Sequence, residues 1–241
     1  MIKKEPIFEG NEKRIFATDD PDRVSIRFRD VTVAYNNIKR ARFLGKGMLD
    51  NRISALLLGY LNRNGVETHF IETVGECEQL CRKIEIIPLR VIVRNRIAGS
   101  LAARLGVPEG FRQPNTILDL EYNNDDLNDP LINRDHAVAL GLATYDELDF
   151  MRSQALRANE LLTGLLHRAG IELVDVRIEF GRASDNGALI ISDEISPDTC
   201  RLWDEATGDR LDKDRFRLDL SDVVASYRTV LDRLNQIMEK E

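Results

Sequence analysis

Cysteine is scarce. The 241 residues hold three, Cys77, Cys81 and Cys200, an odd number that forms no even disulfide framework and fits a reduced compartment. Cys77 and Cys81 stand four apart in GECEQLCRK, a spacing that puts both on one face of a helix. No second pair follows, and His69, His136 and His167 are isolated, so a thiolate zinc site is not expected. No apolar run approaches about 20 residues, which excludes a membrane-spanning helix. The polar start MIKKEP lacks the apolar stretch of a secretory signal, and a cytoplasmic protein is the expectation. Positive charge is outweighed, 34 basic against 41 acidic residues for a net −7, which argues against duplex nucleic acid or an anionic membrane as partner. There is no Walker-type phosphate loop, no internal repeat and no low-complexity segment. Apolar material, by contrast, is ample, at 43% hydrophobic residues, and the chain is long enough for one large domain or two smaller ones around a cleft.

The patterns come in blocks. From Glu5 to Phe28, IFEGNEKRIFAT and RVSIRF flank DDPD, the signature of a short-strand meander with Pro21 in a tight turn. A helix follows in GKGMLDNRISALLLGYLNRNG, with Met48, Leu49, Ile53, Leu56, Leu57, Tyr60 and Leu61 at helical spacing and Gly65 placed to end it. VETHFIET and CRKIEIIPLRVIVR read as strands, and Pro88 marks the expected boundary between an N-terminal part, 1–87, and a C-terminal part, 88–241. AGSLAARLG is a short helix and LDLEYNNDDLNDPLIN a polar, turn-prone stretch. Thr144 and Glu147 form a capping box before the strongest helix, closed by Gly170. IELVDVRIEFGRA and GALIISDE surround SDNG, a hairpin signal, and an amphipathic helix starting at Ser221 forms the tail. Strands and helices in blocks predict an α+β fold.

Two constellations carry chemistry. In LVDVRIEFG, Val174, Val176, Ile178 and Phe180 alternate with Asp175, Arg177 and Glu179, giving one apolar and one charged face. If the hairpin closes through Asp185 to Gly187 with even register, Asp193 of ISDEISPDTCRLWD joins the charged face near Arg177 and Glu179. Paired carboxylates suit Mg2+, which is commonly held by one or two of them together with substrate phosphates; a solvated face with an arginine salt bridge is the plainer alternative. Asp198 and Arg201 would follow on the loop broken by Pro197, while Glu194 points away from Asp193 and Trp203 anchors the loop in apolar packing. In PLRVIVRNRIAGS, Arg90, Ile92, Arg94 and Arg96 share one side of an extended run that turns through Gly99 and Ser100 into a helix, which suits an anion grip; surface arginines that keep a strand edge soluble are the plainer alternative. A metal held by carboxylates opposite a basic pocket suits phosphoryl transfer from a nucleoside triphosphate to a phosphorylated metabolite.

Taken in order, these segments resemble the SAICAR synthetase (phosphoribosylaminoimidazole-succinocarboxamide synthase) family over essentially the whole chain. IIPLRVIVRNRIAGS is similar to its first signature, and LVDVRIEFG followed by DEISPDTCRLWD and DKDRFR to its second; GKGMLDNRIS and NDPLIN agree as well. The resemblance implies an N-terminal antiparallel sheet with a helix, shaped like ATP-grasp and kinase small lobes, a larger C-terminal α+β part, an ATP cleft between them and a homo-oligomer. It implies an ATP- and Mg2+-dependent ligase of de novo purine biosynthesis that activates the carboxylate of carboxyaminoimidazole ribotide by phosphorylation and joins it to L-aspartate. Glu179 and Asp193 match metal-binding, catalytic carboxylates. Arg94, Ser100 and Arg201 match residues that grip the ribotide phosphate, and Asp198 one near its imidazole. Gly10, Asn11 and Lys13 match the nucleotide-phosphate turn, and Asn123 and Asp129 the nucleotide or metal region. Arg177 stands at a catalytic lysine.

The sequence also departs from the family. Gly10-Asn11-Glu12-Lys13 stands where the family has Gly-Lys-x-Lys, Arg90 replaces the glutamate of the first signature, Asn123 replaces a lysine, and Asn36 stands where many members carry aspartate. Arg177 keeps its lysine's charge but not the compact geometry. A charge-assisted hydrogen bond is worth about 1.5 to 3 kcal/mol, so the two lost lysines weaken nucleotide binding unless something compensates. A paralogue acting on a related azole or amine and a silent ribotide-binding regulator remain alternatives.

Overall fold

The computed structural model describes residues 2–35 and 38–239; Asn36 lies outside them. The opening meander forms β1 (Lys3–Glu9), β2 (Lys13–Thr18) and β3 (Arg23–Phe28), with the DDPD turn between the last two. A small ribbon follows, β4 (Val31–Ala34) with β5 (Lys39–Arg42), then α1 (Lys46–Arg63), then the hairpin β6 (Phe70–Gly75) and β7 (Glu78–Arg82). The first sheet is antiparallel, in the order β1-β2-β3-β7-β6. Val24, Ile26 and Phe28 pack with Cys81 on one of its faces.

The second sheet is built from β8 (Ile84–Arg94), β9 (Ile117–Tyr122), β10 (Leu131–Ile132), β11 (Ile171–Ala183), β12 (Leu189–Ser192) and β13 (Cys200–Asp204). Its order is β10-β9-β8-β11-β12, and β13 also pairs with β11. Helices α2 (Ser100–Leu105), α3 (Arg134–Ala139), α4 (Tyr145–Arg168), α5 (Asp214–Arg217) and α6 (Val223–Met238) complete the chain. The α+β class expected from the blocks is the class observed. In α4 both bonds of the capping box form: Thr144 accepts from the Glu147 N–H, and Glu147 accepts from the Thr144 N–H. Its inner stripe of Met151, Ala155, Leu162 and Leu166 joins Ile53 and Leu57 of α1, Tyr227 and Val230 of α6, and Val176, Ile178 and Phe180 of β11 in one continuous core.

The chain passes from the first sheet to the second at Lys83, between β7 and β8. Pro88 lies inside β8, where the register against β11 shifts between Glu179 and Phe180. Such a bulge accommodates a residue with no N–H to donate.

Three expectations are corrected. Cys77 and Cys81 share no helix; Cys77 sits in the β6–β7 turn, Cys81 is buried in β7, and both are free thiols. The polar stretch after α2 contains a strand, β9, in which Leu118 and Leu120 alternate with Asp119 and Glu121 and pair with β8. The segment carrying Arg201 is strand β13, not loop.

Candidate active site

Alternation along three neighbouring strands builds a charged wall. Across β11 and β8, Glu179 pairs with Arg90, Arg177 with Ile92 and Asp175 with Arg94; across β8 and β9, Arg90 pairs with Glu121 and Ile92 with Asp119. Directly paired residues share a face, so these charges stand opposite the core face carried by Val176 and Ile178. Arg96, past the end of β8, leaves the row and pairs with Glu172 at 2.6 Å. The wall, the β1–β2 turn and the segment after β12 enclose a cavity of about 880 Å³. It is lined by Gly10, Asn11 and Lys13 from the turn, Ser100 from α2, Asn123 and Asp129 from the loop after β9, and Arg177, Glu179, Asp193 and Asp198. A smaller apolar pocket of about 270 Å³, between β9 and α4, holds none of the candidate residues.

Asp193 reaches the cavity by a different route from the one its spacing suggests. The residue opposite Glu179 is Ser192, so strict alternation would turn Asp193 to the apolar side with Ile178. Its backbone is left-handed instead, with φ 59°, a conformation aspartate tolerates better than most residues. That kink returns Asp193 to the wet side. It also brings round Glu194, which was expected to point away: Lys13 Nζ contacts Asp193 Oδ1 and lies 3.0 Å from Glu194 Oε1. Burial draws the Lys13 ammonium down, but the charges of Asp193 and Glu194 outweigh it and hold Lys13 well above the usual lysine range.

Glu179 Oε1 accepts from Arg90 Nε at 3.1 Å and from Asn123 Nδ2 at 3.3 Å. Burial, and then the charge of Asp193, pushes the Glu179 carboxyl up to about 7. Two desolvated carboxylates that repel one another across an oxygen-rich cavity fit a hard divalent cation, which would relieve that repulsion. A second acidic group looks similar but is already filled. Asp50, Glu194 and Asp198 bring ligand oxygens within 4.8 Å of one another, yet buried Lys46 places Nζ 2.6 Å from Asp50 and 2.5 Å from Asp198. Tyr227 donates its hydroxyl to Asp198 at 2.5 Å. Burial would raise Asp198, but Lys46 and then Lys213 hold it far below the carboxylate range.

Arg94 and Arg201 do not line the cavity. Arg94, 3% exposed, donates to Asp119 at 2.8 Å, and Asp175 Oδ2 joins it at 3.4 Å to Arg201 at 2.7 Å; Arg201 also meets Asp214 at 2.8 Å. Arg201 lies against Gly99, where φ is 57° and an added Cβ would come within 2.3 Å of Nη2. Ser100, the next residue, does face the cavity. Arg177 faces it too, and among the described residues no carboxylate forms an ion pair with its guanidinium, which burial makes costly to keep charged.

The family model for SAICAR synthetase matches residues 6–234. The chain belongs to the SAICAR synthetase family. A phosphoribosylaminoimidazole-succinocarboxamide synthase of Clostridium botulinum is 51% identical over 98% of this chain and all of its own length. One of Clostridium acetobutylicum is 47% identical over 97% of this chain and 99% of its own. Among solved structures, the phosphoribosylaminoimidazole-succinocarboxamide synthase of Ehrlichia chaffeensis superposes with a TM-score of 0.94 at 42% identity, covering 96% of this chain and 98% of that one. A SAICAR synthetase in complex with ADP gives 0.91 at 42% identity, covering 95% and 97%. Membership of the SAICAR synthetase family makes the chain an ATP-dependent ligase of purine biosynthesis.

Sequence reasoning missed several cavity residues. Glu12 takes Lys213 Nζ at 2.6 Å and accepts from Thr32 Oγ1 and the Val33 N–H at 3.1 Å, tying the β1–β2 turn to the far side of the cavity. Nothing local in the sequence announces a pair 201 residues apart. Lys46 and Asp50, four apart on α1, did carry a signal, since that spacing places them on one helix face.

Proposed function

We propose that the cavity between the two sheets is where this ligase joins carboxyaminoimidazole ribotide to L-aspartate. The observation that carries the proposal is the convergence in one cavity of Lys13 from the first sheet with Glu179, Asp193 and Asp198 from the second. In the reaction a ribotide carboxylate oxygen takes the terminal phosphoryl group of ATP, ADP departs, and the aspartate amine displaces phosphate from the acyl phosphate and loses its proton. Glu179 and Asp193 would hold Mg2+, which neutralises the phosphate oxygens and polarises the transferred group.

The chain's own residues supply position and charge. The turn at Gly10 and Asn11 lies over the nucleotide phosphates, and the Lys13 ammonium, which Asp193 and Glu194 hold in the same cavity, lies within reach of them. Asp129 and Asn123 border the nucleotide and metal region. Asp198, kept ionised by Lys46, is a fixed acceptor for the imidazole end of the ribotide, and Arg177, which faces the cavity, meets the carboxylate being activated, where developing negative charge gains most from a preorganised cation. Ser100 marks the ribotide-phosphate end, and Arg201, joined to Arg94 through Asp175, backs it from behind the cavity wall by packing against Gly99. Purified chain supplied with ATP, Mg2+, ribotide and L-aspartate is expected to release ADP and SAICAR in equal amounts, and Asp193→Asn to abolish turnover while keeping the thermal melt. An unchanged rate in Asp193→Asn removes that residue from the reaction. We place the reaction in the cytoplasm and expect a homo-oligomer, which sedimentation of the purified chain reads directly.

A further inference from the structure

Arg90 lines the cavity beside Asn123, and both reach the same carboxylate. Two of the lysines that the family pattern puts around the nucleotide are Asn11 and Asn123 here, while the glutamate of the first signature has become Arg90. Two charges lost from lysine and two gained in turning a glutamate into an arginine leave the formal charge of the cavity lining where the family pattern has it. The fold makes this exchange local. Arg90 pairs with Glu121 across β8 and β9, the Asn123 N–H donates to the Pro88 carbonyl at 3.0 Å, and Arg90 and Asn123 both donate to Glu179 Oε1.

The geometry of the fork matters as much as its charge. Nε donates to Glu179 at 3.1 Å, and Nη1 donates to Asp129 at 2.7 Å and lies 3.5 Å from Glu121. A guanidinium has five N–H donors in a fixed plane, and among the described residues none accepts from Nη2. The side chain lines the cavity and is 19% exposed. Arg90 can therefore receive an anionic oxygen on Nη2 without releasing either carboxylate it holds. Lysine, with a single ammonium, could not serve three acidic groups and a ligand in the same way. On the Glu179 side, using Oε1 for Arg90 and Asn123 leaves Oε2 free of any donor among the described residues and fixes the carboxylate plane.

We infer that Arg90 is a nucleotide-phosphate ligand, which also positions Glu179, and that it supplies the positive charge that Asn11 and Asn123 do not. The inference rests on the reading of the cavity as the nucleotide site. The test is calorimetric titration of ADP, at saturating Mg2+, into wild type, Arg90→Gln, Arg90→Glu and the double variant Arg90→Glu with Asn123→Lys, with thermal melts alongside. Arg90→Gln is expected to weaken ADP binding about ten- to a hundred-fold, the range for losing a charge-assisted hydrogen bond. Arg90→Glu is expected to lose more, and adding Asn123→Lys to restore affinity to within a few-fold of wild type. A purely structural counter-ion would lower the melting temperature in Arg90→Gln but leave ADP affinity within two-fold, which overturns the inference while the cavity assignment stands. A double variant no better than Arg90→Glu alone also overturns it, and this comparison decides the matter if Arg90→Gln fails to fold. Wild type that binds no ADP overturns the cavity assignment, and the inference with it.

Discussion

Replacing Lys46 by methionine tests the electrostatic floor of the site. Lys46 is 1% exposed and lies between Asp50 at 2.6 Å and Asp198 at 2.5 Å, whose side chains are both 3% exposed. Methionine fills a similar volume but strands two carboxylates. Removing one partner of a buried pair costs about 3 to 5 kcal/mol, and with two acids depending on one ammonium the expected loss is at the upper end, about 5 kcal/mol. The loss should depend on pH. Burial already pushes the Asp50 carboxyl well up, and without Lys46 it rises further, so a stranded acid can escape by taking a proton. An acid whose folded-state pKa is raised destabilises the fold increasingly as pH climbs from its unfolded value toward the raised one, at about 1.4 kcal/mol per unit. The variant should accordingly lie closer to wild type at pH 5.5 than at pH 8.5. Urea unfolding followed by the fluorescence of Trp203, the single tryptophan, measures both. A loss under about 1 kcal/mol at pH 8.5, or one independent of pH, refutes the reasoning. Adding Asp50→Leu should recover part of the loss, because apolar replacement of a buried pair is often neutral.

Two other outcomes follow from particular contacts. Gly99→Ala forces a left-handed residue and drives a Cβ to within 2.3 Å of Arg201 Nη2. It should cost about 1 to 3 kcal/mol and raise the KM for ribotide much more than it lowers kcat; equal effects on both would place Arg201 outside ribotide binding. Burial pushes the His69 imidazole down to about 4, against a smaller opposing effect of Asp193. A histidine depressed in the fold stabilises fully above its unfolded pKa near 6.5 and loses that contribution as pH falls toward 4, by at most about 3 kcal/mol. Between pH 6.5 and 4.5, His69→Asn should lose less stability than wild type in the same urea measurement, and parallel curves would contradict the assignment.

The fold was legible where local pattern and tertiary use agree. The capping box of α4, the alternation of β11 and the SDNG hairpin each specify their element within a dozen residues; the first two form as read, and the hairpin forms with its register one residue off. Strand β9 escaped because its two core leucines are interrupted by Asp119 and Glu121 and followed by turn-prone Asn and Asp, so the polar composition outweighed a short alternation. The helical spacing of Cys77 and Cys81 misled because a separation of four fits a turn running into a strand equally well: Cys77 ends the β6–β7 turn and Cys81 lies within β7. Within the cavity, the meeting of Asp193 with Glu179 was anticipated from a register one residue out, and a left-handed backbone at Asp193 cancels the difference. Periodicity carries no information about such a kink. Nor does it reveal Glu12 with Lys213, or the service of one lysine to two buried acids, since those depend on partners far along the chain.

The neighbours Glu12 and Lys13 grasp different parts of the second sheet's territory with opposite charges, Glu12 at Lys213 and Lys13 at Asp193 and Glu194. Glu12 ends the β1–β2 turn and Lys13 begins β2, so an insertion or deletion there that shifts the register by one residue would trade their places. Ammonium would then confront ammonium, and carboxylate confront carboxylate. The length of that loop is consequently a constraint on this molecule alongside the identity of Glu12.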